Sequence, residues 1–535
     1  MSSGSRFFVV NNIKLPINAS PEEAFFVARK RLAELSVSAR DVDFKIYKRS
    51  VDARDRKDIK FVYSVSCNGN LPEISEDRLL RHSVSSHESV ELGEIRKGNE
   101  KMNARPLVVG SGPAGLFAAL LLAENGYRPL IVERGGSITE RQEAVSRLYT
   151  SHVLDINTNI QFGAGGAGTF SDGKLVTRIN DPISQYVFKR LVEFGASPEI
   201  MYIAKPHVGT DVLSLVVDRI IDRIISLGGE IMYHTEFLSV KSCGVAATSA
   251  GDIPFCALIL AIGHSARDTY SELIKSNFTV VPKDFSVGMR IEHRADEIDR
   301  SLYGSFAGDP ALGHAEYNLS HNTKVRGVYT FCMCPGGEVV AATSEEGGVV
   351  VNGMSRHARD GVNSNSAVVC SIFKDDYGAT AEGAIAFQRQ IERAAFTAGG
   401  GAYRAPIITV GDFLSDKCNT EPYSVMPTYM GGDNVILASP KKYLPDFVCN
   451  SIKDALASFD KKIKGFADSS AVLTGAETRT SAPVRIIRDN FTRLADGRDN
   501  VYPIGEGAGY AGGITSSAID GIKTAIAVIN RFTPM

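Results

Sequence analysis

The feature that most constrains this chain is Gly110-Ser111-Gly112-Pro113-Ala114-Gly115, because it stands in a complete strand–turn–helix–strand setting. The apolar strand Leu107–Val109 precedes it, and the run Ala114–Ala123 behind it predicts a helix. The next strand, Pro129–Val132, ends in Glu133 followed by Arg134. Such a unit belongs in a parallel sheet, and each glycine has a physical task. Gly110 permits the tight turn, Gly112 lets backbone approach a pyrophosphate, and Gly115 lets the helix pack closely on the strand. The helix start offers N–H groups and partial positive charge to phosphates. Glu133 is placed to accept hydrogen bonds from the ribose hydroxyls of an adenosine. The unit predicts a bound dinucleotide; the alternative is a Gly-rich turn without a ligand.

The other end of the chain decides which dinucleotide. Asn500–Gly505 reads as a strand, followed by Glu506 and a Gly-rich turn through Gly512, Gly513 and Ile514, then a helix of small residues from Thr515. A carboxylate at a strand end, a glycine turn and a helix suit a ribityl-flavin. Glu506 would bond the ribityl chain or its phosphate end. The helix start would stabilise negative charge at the N1/C2-carbonyl edge of the reduced ring. A second Gly-rich loop carries Gly163, Gly165, Gly166, Ala167, Gly168 and Thr169 ahead of Lys174. So many glycines suggest backbone passing close to the flavin or pyrophosphate, the alternative being a surface lid. The strand Ala257–Ile262, containing Ala261 and ending at Gly263, is a further cofactor-side segment.

The rest of the chain divides around this frame. Residues 1–95 read as a small domain in β-α-β-β-α-β order, a ferredoxin-like sandwich. Its strands are Arg6–Val10, Val42–Ser50, Ile59–Cys67 and Ser89–Leu92. Its helices are Pro21–Leu35, opened by a Ser20/Glu23 capping box, and Glu76–His82. With Cys67 as its only cysteine it holds no iron–sulfur cluster. Glu94–Asn103 reads as a linker. Residues 104–281 alternate strands with amphipathic helices, Asp211–Leu227 being the clearest. Residues 282–484 turn β-rich, with one helix near Gly383–Thr397. Residues 485–535 return to α/β character. The fold class predicted is α/β: a Rossmann-type FAD-binding domain with an inserted β-rich α+β substrate domain, plus the small N-terminal ferredoxin-like α+β domain.

The Gly110–Glu133 unit, the strand ending at Gly263 and the Tyr502–Gly513 unit together resemble glutathione-reductase-type flavoproteins. The whole chain resembles a large bacterial family of uncharacterised FAD-dependent dehydrogenases. The matching stretches are Lys205–Asp211, Gly263–Asp268, Phe331–Gly337, Asn352–Ser355 and Glu477–Arg485. The resemblance implies FAD and implies no substrate. Glu506 stands where many such flavoproteins have Asp, which keeps the carboxylate and lengthens its reach.

No second GxGxxG has a strand before it and a helix behind it, so a nicotinamide nucleotide, NADH or NADPH, would dock transiently as reductant. Otherwise the small-molecule substrate would itself deliver the hydride. His207, His264 and His293 are candidate proton donors, with hydrogen-bonded structural histidines as the alternative. Arg290, Arg479 and Arg485 would clamp an anionic substrate or form structural ion pairs. Cys332 and Cys334 read as a redox dithiol beside a flavin or as two packing thiols, the single intervening residue straining a bridge. No zinc-like ligand spacing is present, so no metal is expected.

Charge excludes some partners. Basic and acidic residues number 59 and 61, which removes a global electrostatic case for nucleic acid or an anionic membrane. Lys45–Lys60 has seven basic and three acidic residues, which reads as an RNA-contacting hairpin or, more blandly, a solvated one. No apolar run exceeds the eight residues of Leu116–Ala123, too short to span a membrane. With scattered cysteines and no signal-peptide pattern, a cytoplasmic protein is expected. The sequence sets no oligomeric state.

Overall fold

The computed structural model describes residues 2–535 apart from 39–41, 70, 178, 180, 243 and 324. Two units form, and each is built from discontinuous chain. The first takes residues 1–95, 175–207 and 299–315. Its elements are β1 (Ser2–Pro16), α1 (Pro21–Glu34), β2 (Val42–Asp52), β3 (Lys60–Gly69), α2 (Glu76–Arg81) and β4 (Val84–Glu91). The strands form one antiparallel sheet in the order β2-β3-β1-β4. Alternation on β3 puts Phe61, Tyr63, Val65 and Cys67 on the buried face, where α1 adds Ala24, Ala28 and Leu32. The capping box starts α1: Glu23 accepts from Ser20 N–H at 3.2 Å.

Two strands outrun their expected lengths. β1 continues past Val10 because a bulge between Val10 and Ile13, with Asn12 at φ +56°, carries the polar Asn11-Asn12 pair through the ladder. β4 starts at Val84 rather than Ser89, since backbone pairing with β1 does not require apolar side chains there. The segment 175–207, expected in the first α/β part, belongs to this unit, as does 299–315. Arg49 N–H donates to the Tyr202 carbonyl at 2.7 Å, and Ala204 N–H returns the bond to Arg49 at 2.9 Å. The Arg49 guanidinium lies over the rings of Phe61 (5.1 Å) and Tyr202 (5.7 Å). Leu312 packs on the same core.

The second unit takes residues 96–174, 208–298 and 316–535. It opens with β5 (Leu107–Val109), α3 (Pro113–Glu124), β6 (Leu130–Val132), α4 (Ile138–Ser151), α5 (Thr210–Ser226), β7 (Glu230–Met232) and β8 (Leu258–Leu260). There follow β9 (Phe285–Arg294), β10 (Ser320–Asn322), β11 (Gly327–Cys334), β12 (Glu338–Ala341), β13 (Val351–Met354), β14 (Asn363–Ile372) and α6 (Ala381–Ala398). The remainder is β15 (Ala405–Thr409), β16 (Val435–Leu437), α7 (Asp446–Lys462), β17 (Val472–Glu477), β18 (Val501–Pro503) and α8 (Ile514–Arg531).

The first sheet is wholly parallel in the order β18-β8-β5-β6-β7, a doubly wound arrangement. β5 and β8 are buried throughout, as strands covered on both faces must be. The second sheet, β10-β11-β14-β9-β17-β15-β16, is antiparallel except for β15-β16. Val280–Pro282 pairs with Val484–Ile486, so the chain enters and leaves the larger sheet side by side.

The larger sheet carries more helix than the one expected. α7 escaped notice because Asn450, Ser451 and β-branched residues dilute its pattern, although Val448, Ile452, Leu456 and Phe459 form a buried stripe. The expected linker is also tied down at its far end: Glu100–Lys101 pairs with Phe532–Thr533, and a side chain at Gly98 would meet the Arg531 carbonyl at 2.1 Å. Among the described residues no helix is long and apolar enough to cross a membrane.

Candidate functional site

At the carboxyl ends of β5, β6, β8 and β18, four glycine segments converge. Gly110 has φ +95°, and a side chain there would lie 2.5 Å from the Ala261 carbonyl. A side chain at Gly115 would strike the Gly110 carbonyl at 2.0 Å, which is the close helix–strand approach the motif predicts. Glu133, 4% exposed, gathers the surrounding loops. One carboxylate oxygen accepts from Ser111 N–H (2.9 Å) and Ser111 Oγ (2.7 Å), the other from Gly135 N–H and Gly163 N–H (3.0 Å each). These four bonds fill the lone-pair capacity of a carboxylate, so a ribose diol would enter by replacing the rotatable Ser111 hydroxyl. Arg134 bonds to Glu236 and Asp268 at 2.5 Å each and lies over Phe162.

The loop through Gly163–Thr169 lies on the first turn. Gly165 N–H donates to the Ser111 carbonyl at 3.0 Å, and a side chain at Gly166 would reach Gly112 Cα at 3.0 Å. One at Gly168 would meet Ile514 at 3.2 Å and Pro113 at 3.6 Å. The loop therefore joins the start of α3 to the start of α8. Thr169 Oγ1 donates to the Ala164 carbonyl at 3.4 Å. Arg141, which motif reading missed, clamps the loop from α4 by donating to the carbonyls of Asn159, Ile160 and Ala164. Its burial lowers the guanidinium pKa to about 10. The available signal was an arginine one position beyond the Ser137/Glu140 capping box.

The C-terminal turn completes the group. Side chains at Gly505 and Gly507 would meet Ala114 Cβ at 2.7 Å and the Gly263 carbonyl at 2.6 Å. Tyr270, also unanticipated, donates to the carbonyls of Gly507 (2.8 Å) and Gly263 (3.2 Å). Gly112 and Gly512 differ from these. Neither has a positive φ; a side chain at Gly512 would meet nothing within 4 Å, and one at Gly112 only Gly166 Cα at 3.9 Å. Packing and backbone conformation leave both free to carry a side chain, so a close-lying ligand is the remaining reason for glycine. α3 and α8 both start at a glycine without a side-chain cap and without an acidic residue in the first turn, leaving their positive ends open to an anion. Burial raises the Glu506 carboxyl to about 7, with Lys283 opposing. These features fit a dinucleotide whose pyrophosphate faces α3 and whose other end meets α8.

The proposed chemical residues fall into separate places. Arg479 and Arg267 share Glu392, and Arg479 also donates to Ser265 Oγ at 3.0 Å. Arg479 thus sits in a buried ion-pair cluster. His264 bonds Ser265 Oγ at 2.9 Å, and burial together with Arg479 and Arg267 lowers it to about 3. His293 lies on the opposite face of β9 from Arg290, its Nε2 at 2.7 Å from the Phe466 carbonyl, and burial lowers it to about 4. Arg290 is fully buried and bonds Glu477 at 3.0 Å, Asn365 at 2.7 Å and Asn352 at 3.1 Å. Arg485 donates to the Gly509 carbonyl at 3.2 Å, and His207 falls in the first unit. Lys174 donates to the Met333 carbonyl, between Cys332 and Cys334, and stands 3.7 Å from Asp172. Among the described residues no group of three or more His, Cys, Asp or Glu is placed to hold a metal ion.

Residues 284–480 match the family described as FAD-dependent protein, C-terminal domain-like. Residues 108–165 match the NAD(P)-binding Rossmann-like domain, and residues 9–68 a domain of unknown function. An uncharacterised protein of Clostridium beijerinckii is 44% identical over 98% of both chains. Among solved structures, glycine oxidase from Geobacillus kaustophilus is 11% identical, covering 81% of this chain and 96% of its own, with a TM-score of 0.35. A geranylgeranyl bacteriochlorophyll reductase-like protein from Thermoplasma acidophilum is 12% identical, covering 80% and 78%, with a TM-score of 0.34. Scores this low carry nothing about the reaction.

Proposed function

The chain belongs to a family of FAD-dependent flavoproteins with a Rossmann-like domain, the one it shares with the 44% identical clostridial protein, and on that premise we propose that it is an oxidoreductase passing hydride between flavin N5 and a small-molecule substrate. The observation that carries this reading is the pair Gly112 and Gly512, glycines that neither neighbours nor backbone require, set beside the uncapped starts of α3 and α8. The flavin, when bound, supplies the two-electron chemistry, and the chain's residues bind and orient. In this reading Gly110–Gly115 and the α3 start receive the pyrophosphate, and Glu133 the adenosine ribose. Gly165–Thr169 cover the middle. Glu506, Gly512, Gly513 and Ile514 face the ribityl and pyrimidine end. The open α8 start favours negative charge at that edge.

Substrate would bind against the β9-containing sheet, with NADH or NADPH docking transiently. The first unit fits a ferredoxin-like sandwich by its element order. Its Lys45–Lys60 hairpin gives an RNA partner little support, because Arg54 and Lys60 are already paired with Asp52 and Asp58. The proposed location is cytoplasmic.

The test is an absorbance spectrum of purified protein, followed anaerobically on adding NADH or NADPH. Bound flavin, bleached by one nucleotide, is expected. Protein that stays colourless and gains no thermal stability after FAD reconstitution overturns the reading.

A further inference from the structure

Cys332 and Cys334 end β11 where its ladder with β14 slips, pairing stepping from Phe331↔Ala367 to Cys334↔Asn365. Cys332 sits at φ +44°, a left-handed conformation that cysteine gains nothing by adopting, so the surroundings hold it there. Those surroundings are charged. Arg290 Nη1 donates to the Cys332 carbonyl at 3.0 Å and stands 3.9 Å from Cys334 Sγ. Lys174, from the loop that continues Gly163–Thr169, fixes the carbonyl of Met333, the residue between the two cysteines. Cys334 Sγ lies 3.3 Å from the Cys332 carbonyl.

The two sulfurs differ sharply. Cys332 is partly exposed and Cys334 buried. The neighbouring Cys334 thiol, with Arg290 and Lys174 adding positive charge, lowers the Cys332 thiol to about 6. The Cys332 side chain and burial push Cys334 up. Burial alone drives the packing thiols the other way: Cys67 rises to about 12, and Cys256 and Cys449 to about 11. The Lys174 contact ties the pair to the loop that continues Gly163–Thr169, the segment assigned to the middle of the cofactor.

We propose that Cys332 and Cys334 are a redox-active dithiol that exchanges two electrons with the bound flavin, Cys332 being the more accessible sulfur. This rests on the FAD reading above. In the oxidising direction the Cys332 thiolate and the Cys334 thiol lose two electrons as the S–S bond forms. The flavin takes both electrons and the proton that leaves Cys334. In the reverse direction the same two electrons and proton return and the S–S bond breaks. An extended pair two residues apart spans roughly 6.6–7.2 Å between Cα atoms, at the upper edge of disulfide geometry. A bond at that edge is strained and so easy to reduce, as an electron relay requires.

The experiment is an anaerobic dithionite titration of ferricyanide-oxidised holoprotein, with the mass of the peptide spanning residues 332–334 read before and after. Wild type is expected to take up four electrons per bound flavin, and its peptide to gain two hydrogens. Cys334→Ser, still yellow, is expected to take up two. Yellow wild-type protein that takes up two electrons with an unchanged peptide overturns the dithiol and leaves the FAD reading standing. Protein without flavin absorbance overturns both. The wild-type count and peptide mass decide the matter even where the variant fails to fold.

Discussion

Two titratable side chains near the glycine turns are pushed in opposite directions by the same burial. Glu506 rises from 4.5 to about 7, so the folded state holds its proton more tightly than the unfolded chain does. Its contribution to stability is fully present below about 4.5 and is lost as pH rises through 7. His264 falls from 6.5 to about 3, so it folds neutral. Its contribution is present above 6.5 and is lost as pH falls toward 3. Between 4.5 and 6.5 the two slopes oppose. Glu506→Gln is therefore expected to gain thermal midpoint relative to wild type as apo-protein is moved from acid to neutral pH. His264→Gln is expected to gain as pH falls below 6.5. Melting curves that shift in parallel at every pH would contradict both. The sequence placed a carboxylate at the end of β18 and a histidine after Gly263. It gave no hint of their shifts, which follow chiefly from burial, with Arg479 adding to the lowering of His264 and Lys283 opposing the rise of Glu506 from distant stretches of chain.

Helix packing separates two kinds of glycine. At Gly521 a side chain would strike the Ala114 carbonyl at 2.1 Å, where α8 crosses α3 and backbone cannot swing aside. Gly521→Val is expected to destabilise by about 1–3 kcal/mol, as overpacked cores do, and to shift the α3 and α8 starts together. At Gly512 nothing stands within 4 Å. Gly512→Val is expected to leave the apo-protein's melting temperature unchanged while lowering its flavin content severalfold. Equal flavin content in Gly512→Val and wild type would show that the glycine faces no ligand. These turns were legible because strand, glycine turn and helix follow within a few residues. α7 was not, since its buried stripe is diluted by Asn450 and Ser451, nor was the full β1, whose bulge at Asn11-Asn12 breaks the alternation that reveals a strand. The ion pairs of Arg290 with Glu477 and of Arg479 with Glu392 join residues 187 and 87 positions apart, beyond any local pattern.

At the scale of the whole chain, order along the sequence and membership of a unit part company. The first unit takes residues 1–95, 175–207 and 299–315, whereas a reading along the chain places its boundary near residue 95. Closing long loops costs little more than closing short ones, so a stretch far along the chain joins an early core at modest entropic cost. The joins are specific: Arg49 pairs with Tyr202 and Ala204 through backbone hydrogen bonds, and Leu312 packs on the core of β1, β3 and α1. A chain beginning at Arg96 would keep 175–207 and 299–315 but remove the surface that buries them. Tyr202 would lose Arg49, and Leu312 would face water. The truncated chain is expected to be cut early by trypsin within 175–207, to melt below the full chain and to aggregate sooner. A module hung on a linker would behave otherwise: its removal would leave melting temperature, flavin content and cleavage pattern intact. Mass-resolved limited proteolysis of the two chains, each followed by its flavin absorbance, distinguishes the cases.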